Sequence, residues 1–141
     1  PASSNRVIDA TGVFVTRAQS ILLVSKTAEK ALTSGNVSFV PGGKLLDGES
    51  PEDCARRELE EETGLTGGHL TYLGVFLYPN VRRPGEIYRF HQFLLDSPEG
   101  EPVAQDDISA CHWVPIDQIN RADLFDLTWA QLFLLRTCGT Q

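Results

Sequence analysis

The chain has 141 residues, 41% hydrophobic and 22% charged, with a formal net charge of -7. One domain accommodates that length, with core enough to fold without disulfides or a partner. The negative balance excludes a nonspecific grip on DNA, RNA or anionic membranes, each of which needs a basic patch, so an anionic substrate would have to be attracted by something else, a bound divalent cation being the obvious candidate.

The N-terminal PASSNR has no signal-peptide pattern and no Met, so the numbered start is expected to be a processed end or one set by recombinant expression. Residues 10–16 and 20–25 are apolar and β-branched around a turn, which predicts a hairpin. Residues 27–36 are polar and read as a loop; Asn36-Val37-Ser38 matches a glycosylation sequon, which carries no meaning in a cytoplasmic protein. A short strand over Val37–Val40 ends at Pro41-Gly42-Gly43, which stops regular structure and lets the backbone approach a neighbour closely. Ser50 as N-cap, Pro51 in the first turn, Asp53 in a capping-box-like position and Gly64 as the stop predict a helix over 51–63. Two longer strands follow over 69–78 and 86–95, joined by the loop PNVRRPG. After the polar loop SPEGEPVAQDD come a strand over 110–114, a helical turn near Asp117–Asn120 and a mostly apolar helix over 126–136 that packs on the sheet. The order predicts an α/β sandwich, not a doubly wound parallel fold. No apolar run reaches the roughly 18 residues of a membrane span. The cysteines Cys54, Cys111 and Cys138 are odd in number and form no CxxC pair, pointing to a reduced cytoplasmic setting.

On the 51–63 helix, Glu58, Glu61 and Glu62 fall at i, i+3 and i+4, on one face. Ala55 and Leu59 fall on the inward flank, while Arg56 and Glu60 point away. Two carboxylates about 4 Å apart repel by about 4 kcal/mol at an effective dielectric near 20. Either solvent screens the face or a cation sits on it, and oxygen-only ligands suit Mg²⁺ or Mn²⁺.

The surroundings favour the cation. Residues 43–65, GKLLDGESPEDCARRELEEETGL, fit G-x5-E-x7-R-E-U-x-E-E-x-G-U, with U a large aliphatic residue. At ordinary residue frequencies a chance match is on the order of one in ten million. The segment resembles the Nudix box of the MutT-like hydrolases, and both Pro41-Gly42-Gly43 and His112-Trp113-Val114-Pro115 are similar to family features outside the box. The resemblance implies a single Nudix domain, an α/β/α sandwich around a mixed β-sheet. It implies Gly43, Glu58, Glu61 and Glu62 as metal ligands, Arg57 as the group orienting the glutamates, and Glu49 as a brace for the loop. A carboxylate must take a proton from the attacking water. Relatives draw this base from the box, here Glu61, or from a later acidic loop, here Asp106 and Asp107, with Glu86 a weaker alternative.

Lys44, Arg82 and Arg83 are candidates for holding phosphate, with solvated surface positions as the plain alternative for the arginines. His91 and His112 read as structural. Phe39, Tyr78 and Phe90 offer base stacking, although core packing suits at least two of them better. Val37 departs from the family, which often has an aromatic residue there.

The reaction implied is hydrolysis of a nucleoside diphosphate linked to X, as a MutT-like nucleoside triphosphate pyrophosphohydrolase. ADP-ribose or another nucleotide sugar is the alternative, since Pro79, fourteen residues past Leu65, resembles a marker of those enzymes. Dinucleoside polyphosphates fit less well, because the tyrosine expected downstream is replaced by Val81, Arg82 and Arg83. A non-catalytic nucleotide sensor of the same fold usually loses box glutamates, and this chain keeps them. The expected partner is a small nucleotide, with neither nucleic acid polymer nor membrane, and the protein is expected to be a monomer or homodimer.

Overall fold

The computed structural model of the protein describes residues 6–26, 39–80 and 83–119. Five strands form one mixed sheet: β1 (Arg6–Arg17), β2 (Ser20–Lys26), β3 (His69–Pro79), β4 (Glu86–Asp96) and β5 (Ile108–Pro115), in the order β3-β4-β1-β2-β5. β1 and β4 run parallel and the other neighbours antiparallel. Among the described residues one α-helix, α1 (Pro51–Thr63), lies between β2 and β3 in sequence.

The helix bounds follow from its ends. The Ser50 hydroxyl accepts from the Asp53 amide at 3.1 Å, Pro51 opens the helix, and Gly64 closes it at φ 77, donating its amide to the Glu60 carbonyl. Only this arm of the expected capping box forms. β1 and β2 are joined by Ala18-Gln19, both at positive φ (48 and 67), as a tight hairpin turn requires.

β1 and β2 pair only beside that turn, at Thr16↔Ile21 and Arg17↔Ser20, and then diverge. Residues 39–44 fill the wedge between them. On one side Phe39 exchanges two backbone hydrogen bonds with Val24; on the other, Val13 donates to Pro41 and Thr11 donates to Gly43, each at 2.8 Å. Of the strand expected over Val37–Val40, Val37 and Ser38 lie outside the described residues, and Phe39 forms a β-bridge with Val24. β5 starts two residues earlier than expected, and the helical turn is a 3₁₀ turn at Ile116–Gln118. The helix expected over 126–136 and the loop expected over 27–36 lie outside the described residues.

Alternation along β1 sorts the core onto two faces. Val13, Val15, Leu22, Phe93 and Leu95 meet Ala55 and Leu59 of α1, with Leu65 alongside. Phe14, Ile21, Leu23 and Val40 pack on the opposite face with Leu73, Leu94, Val114 and Ile119. Among the described residues no helix is long and apolar enough to cross a membrane.

Leu59 is 2% exposed and joins α1 to the sheet. Leu59→Ala should cost about 2–5 kcal/mol. Urea denaturation measures this directly; a loss of only a few tenths would mean that α1 is held by its polar contacts alone.

Candidate active site

The site begins at the glycine turn. Gly42 has φ +150, and a side chain there would collide with the Thr11 carbonyl. At Gly43 the space a Cβ would fill holds the Glu58 carboxylate, 2.5 Å from that Cβ position to Cδ. The Gly42 amide donates to Glu62 Oε1 at 3.1 Å. Two box glutamates thus press on a turn that only glycine fits.

The three carboxylates occupy different depths. Side-chain exposure is 45% for Glu61 and 17% for Glu58, whereas Glu62 is buried at 6% overall. A helical arc from Glu61 to Glu62 turns from solvent into the core, so the acidic face is graded. Among the described residues no three His, Cys, Asp or Glu side chains converge on one point. Arg57 lies among them instead. Its Nη1 donates to Glu58 at 2.8 Å and to Glu61 at 3.0 Å, and its Nε and Nη2 grip Glu49 at 2.7 and 2.9 Å. Nη2 also donates to the Lys44 carbonyl at 3.2 Å, and Glu49 accepts from the Leu46 amide at 3.0 Å. The hydrogen bonds from Arg57, then that from Leu46, pull Glu49 down to about 2. Burial is the largest influence on the other two: it raises Glu58 and lifts Glu62 to about 8, against the bond from Gly42 and the charge of Lys26.

Asp106 and Asp107 lie close enough for their charges to raise Glu58 and Glu62 respectively. Their loop is docked on the end of α1, where Val103 donates to the Thr63 carbonyl at 2.9 Å and Gln105 to the Glu62 carbonyl at 3.0 Å. Asp106 adopts φ 57, a left-handed conformation that Asp tolerates better than most residues. The donor set here is all oxygen: the three carboxylates, and the Gly43 carbonyl, whose firm partner is the Thr11 amide. Hard oxygen donors of this kind fit Mg²⁺ or Mn²⁺.

Other candidates are dispersed. Lys44 is exposed, with Nζ 5.9 Å from the Tyr88 ring centroid. Tyr88 begins an aromatic surface on the sheet face opposite α1, where Tyr88 and Phe90 lie 5.5 Å apart and Phe76 and Tyr78 6.3 Å apart. The register sets Phe76 beside Phe90 and Tyr78 beside Tyr88. Phe39 belongs to the core beside Val24 and Ile108. Arg83 and Glu86 pair at 3.8 Å at the start of β4. That is five residues, roughly 16 Å of strand, before His91, which lies level with Thr11 and hence with the glycine turn. The structure therefore does not bring either to the glutamates, and Arg82 lies outside the described residues. His91 sits between Asp9 at 3.0 Å and Tyr72 at 3.2 Å, and His112 is exposed on β5. Sequence reasoning missed Lys26, 4.8 Å from the Phe39 ring and facing Glu62, as well as Phe76, Tyr88 and Thr11. No motif marks these positions.

A family profile described as the NUDIX domain matches residues 7–133. An oxidized purine nucleoside triphosphate hydrolase of Mus musculus is 37% identical over 102 residues, 70% of this chain and 64% of that protein. The chain thus spans just under two thirds of that relative's length. An 8-oxo-dGTP diphosphatase of Escherichia coli is 28% identical over 102 residues, 72% of this chain and 75% of its own length. The crystal structure of a MutT NUDIX hydrolase from Burkholderia pseudomallei superposes with a TM-score of 0.79 at 25% identity, covering 93% of this chain and 99% of the other.

The raised Glu62 carboxyl makes stability pH-dependent. Its ordinary value is 4.5 and its folded value about 8. Below the first value both states are protonated and the penalty is absent; between the two values the unfolded state gives up its proton while the folded state keeps it, so stability falls until pH passes the second. With a chelator present, the melting temperature should fall between pH 5 and pH 8. In Glu62→Gln that fall should shrink, leaving the variant on the order of a few degrees more stable than wild type at pH 8. Parallel melting profiles for the two proteins would remove Glu62 as the cause.

Proposed function

Since the chain belongs to the Nudix family, we propose that it hydrolyses a phosphoanhydride bond of a nucleoside triphosphate, with oxidised purine nucleotides as the preferred substrates. The observation that carries this reading is the contact of Glu58 and Glu62 with the Gly42-Gly43 turn. Gly43, Glu58, Glu61 and Glu62 are the residues that would hold Mg²⁺ or Mn²⁺. The chemistry such an ion would supply there is neutralisation of phosphate charge and acidification of the attacking water.

The chain's own residues do the rest. Arg57 holds Glu58 and Glu61 in place through charge-assisted hydrogen bonds and is itself anchored by Glu49. The proton of the attacking water passes to a carboxylate oxygen of Glu61, Asp106 or Asp107. Lys44 lies between the glycine turn and the aromatic surface, a position from which Nζ can meet phosphate oxygens while a base stacks on Tyr88 and Phe90. The substrate class is supported by the names of the mouse and Escherichia coli relatives. ADP-ribose stays as the second reading, on Pro79 at the end of β3. A cytoplasmic setting accords with a nucleotide substrate and with reduced cysteines.

Product release from a panel of oxidised and ordinary nucleoside triphosphates, ADP-ribose and dinucleoside polyphosphates, with millimolar Mg²⁺, tests the assignment. An oxidised purine triphosphate should lead. An ADP-ribose advantage above about tenfold in kcat/KM would overturn the substrate choice, and binding without turnover would mark a sensor. Turnover undiminished after exhaustive chelation would refute the dependence on a divalent cation.

In the same assay Glu61→Gln and Glu62→Gln should each lose on the order of a thousandfold in kcat, equivalent to about 4 kcal/mol. Glu60→Gln is the control, since Glu60 is exposed and borders a small cleft with Arg56 and Leu65 on the other side of α1. Equal, small losses in all three variants would reduce the acidic face to a solvated surface.

A further inference from the structure

Thr11 has no part in the function proposed above. It stands on β1 in the row that faces α1, ahead of Val13 and Val15, and is 1% exposed. A valine would satisfy packing and strand preference there equally well. A buried hydroxyl is costly unless it is hydrogen-bonded, so the partners of this one are informative.

Its partners lie at the glycine turn and on α1. Thr11 Oγ1 donates to the Gly43 carbonyl at 3.3 Å, accepts from the Gly43 amide at 3.4 Å, and lies 3.5 Å from the Cys54 thiol. That thiol in turn donates to the carbonyls of Gly43 and Lys44, each at 3.5 Å. The Thr11 amide supplies the shorter bond to Gly43, at 2.8 Å. From the other side, Glu58 fills the missing Cβ position of Gly43 and Glu62 takes the Gly42 amide.

Two consecutive glycines have the freest backbone a chain can have. The Thr11 amide alone would pin the Gly43 carbonyl at one point and leave the peptide free to rock about it. The hydroxyl touches both ends of the same residue and removes that freedom. We propose that Thr11 is a positioning residue for the cation site, its hydroxyl tying together the two peptide units that flank Gly43 and so fixing the direction of the Gly43 carbonyl relative to Glu58 and Glu62. The inference rests on the ligand set proposed above and adds to it a residue outside the box, 32 positions away from Gly43.

Two variants separate the role from simple packing. Thr11→Val keeps the volume and β-branch and removes the hydroxyl. Thr11→Ser keeps the hydroxyl and removes a packed methyl. Mn²⁺ binding to the substrate-free protein is read from the electron paramagnetic resonance signal of the free ion, alongside a thermal melt and the Mg²⁺ dependence of kcat. Thr11→Val should melt close to wild type, bind Mn²⁺ about 10- to 100-fold more weakly and recover kcat at high Mg²⁺. Thr11→Ser should melt lower and bind Mn²⁺ as wild type does. A purely structural role predicts the reverse order, with metal affinity following the melt. Wild-type affinity in Thr11→Val overturns the inference, and should that variant not fold, a loss of Mn²⁺ affinity in Thr11→Ser overturns it equally. Absence of saturable Mn²⁺ binding by the wild type would instead overturn the proposed function, and this inference with it.

Discussion

Arg57 has five N–H donors in one plane, and all five are engaged. One goes from Nε to Glu49, two from Nη2 to Glu49 and the Lys44 carbonyl, and two from Nη1 to Glu58 and Glu61. Without that guanidinium the carboxylates of α1 would repel one another, and Glu49 would lose its tie to the helix. The planar fork matters as much as the charge. A lysine offers a single point charge with three donors and cannot span Glu49 on one side and two glutamates on the other. The site is therefore organised around a cation the chain already carries, which leaves carboxylate oxygens available on the remaining sides.

The neighbouring glutamates divide two demands that conflict. Glu61 is open to solvent. Glu62 is buried beneath the glycine turn, and burial pushes its carboxyl up to about 8 against the opposing Gly42 amide and the charge of Lys26. A core built for stability alone would place an apolar residue beside Leu59 and Thr63. Functional sites commonly retain such costly groups, and the core around Val13, Val15 and Leu22 is what keeps the fold intact despite this one.

What could be read in the sequence was local. Ser50, Pro51 and Gly64 set the bounds of α1 because capping depends on residues a few positions apart. The hairpin and the two long strands were legible from apolar runs and turns, with ends displaced by a residue or two because ladder partners decide where a strand stops. The box supplied spacing, but a helical wheel gives only an angle. It could not tell that Glu62 is buried while Glu61 is exposed, since depth is set by β2, β5 and the turn. The wedge of residues 39–44 was illegible for the same reason: its partners Thr11, Val13 and Val24 lie on strands that are adjacent here only through the folded sheet. Thr11 did leave a trace, a hydroxyl in an otherwise apolar row, but nothing in the row says what it touches.

The parallel pairing of β1 with β4 also bears on how the chain reaches this fold. Asp9 meets Arg89 across 80 residues of sequence, and β1 is paired this way from Arg6 to Thr16. Contacts of such long range form late and slowly, because loop-closure entropy is lost before they repay it. During synthesis, β1, β2 and α1 are complete before β4 exists. Until residue 96 emerges, β1 carries an open hydrogen-bonding edge and the apolar row of Val13 and Val15 lacks Phe93 and Leu95. A ribosome pausing within residues 66–90 would hold the chain in its most aggregation-prone form, so the tempo of translation through that stretch bears directly on yield.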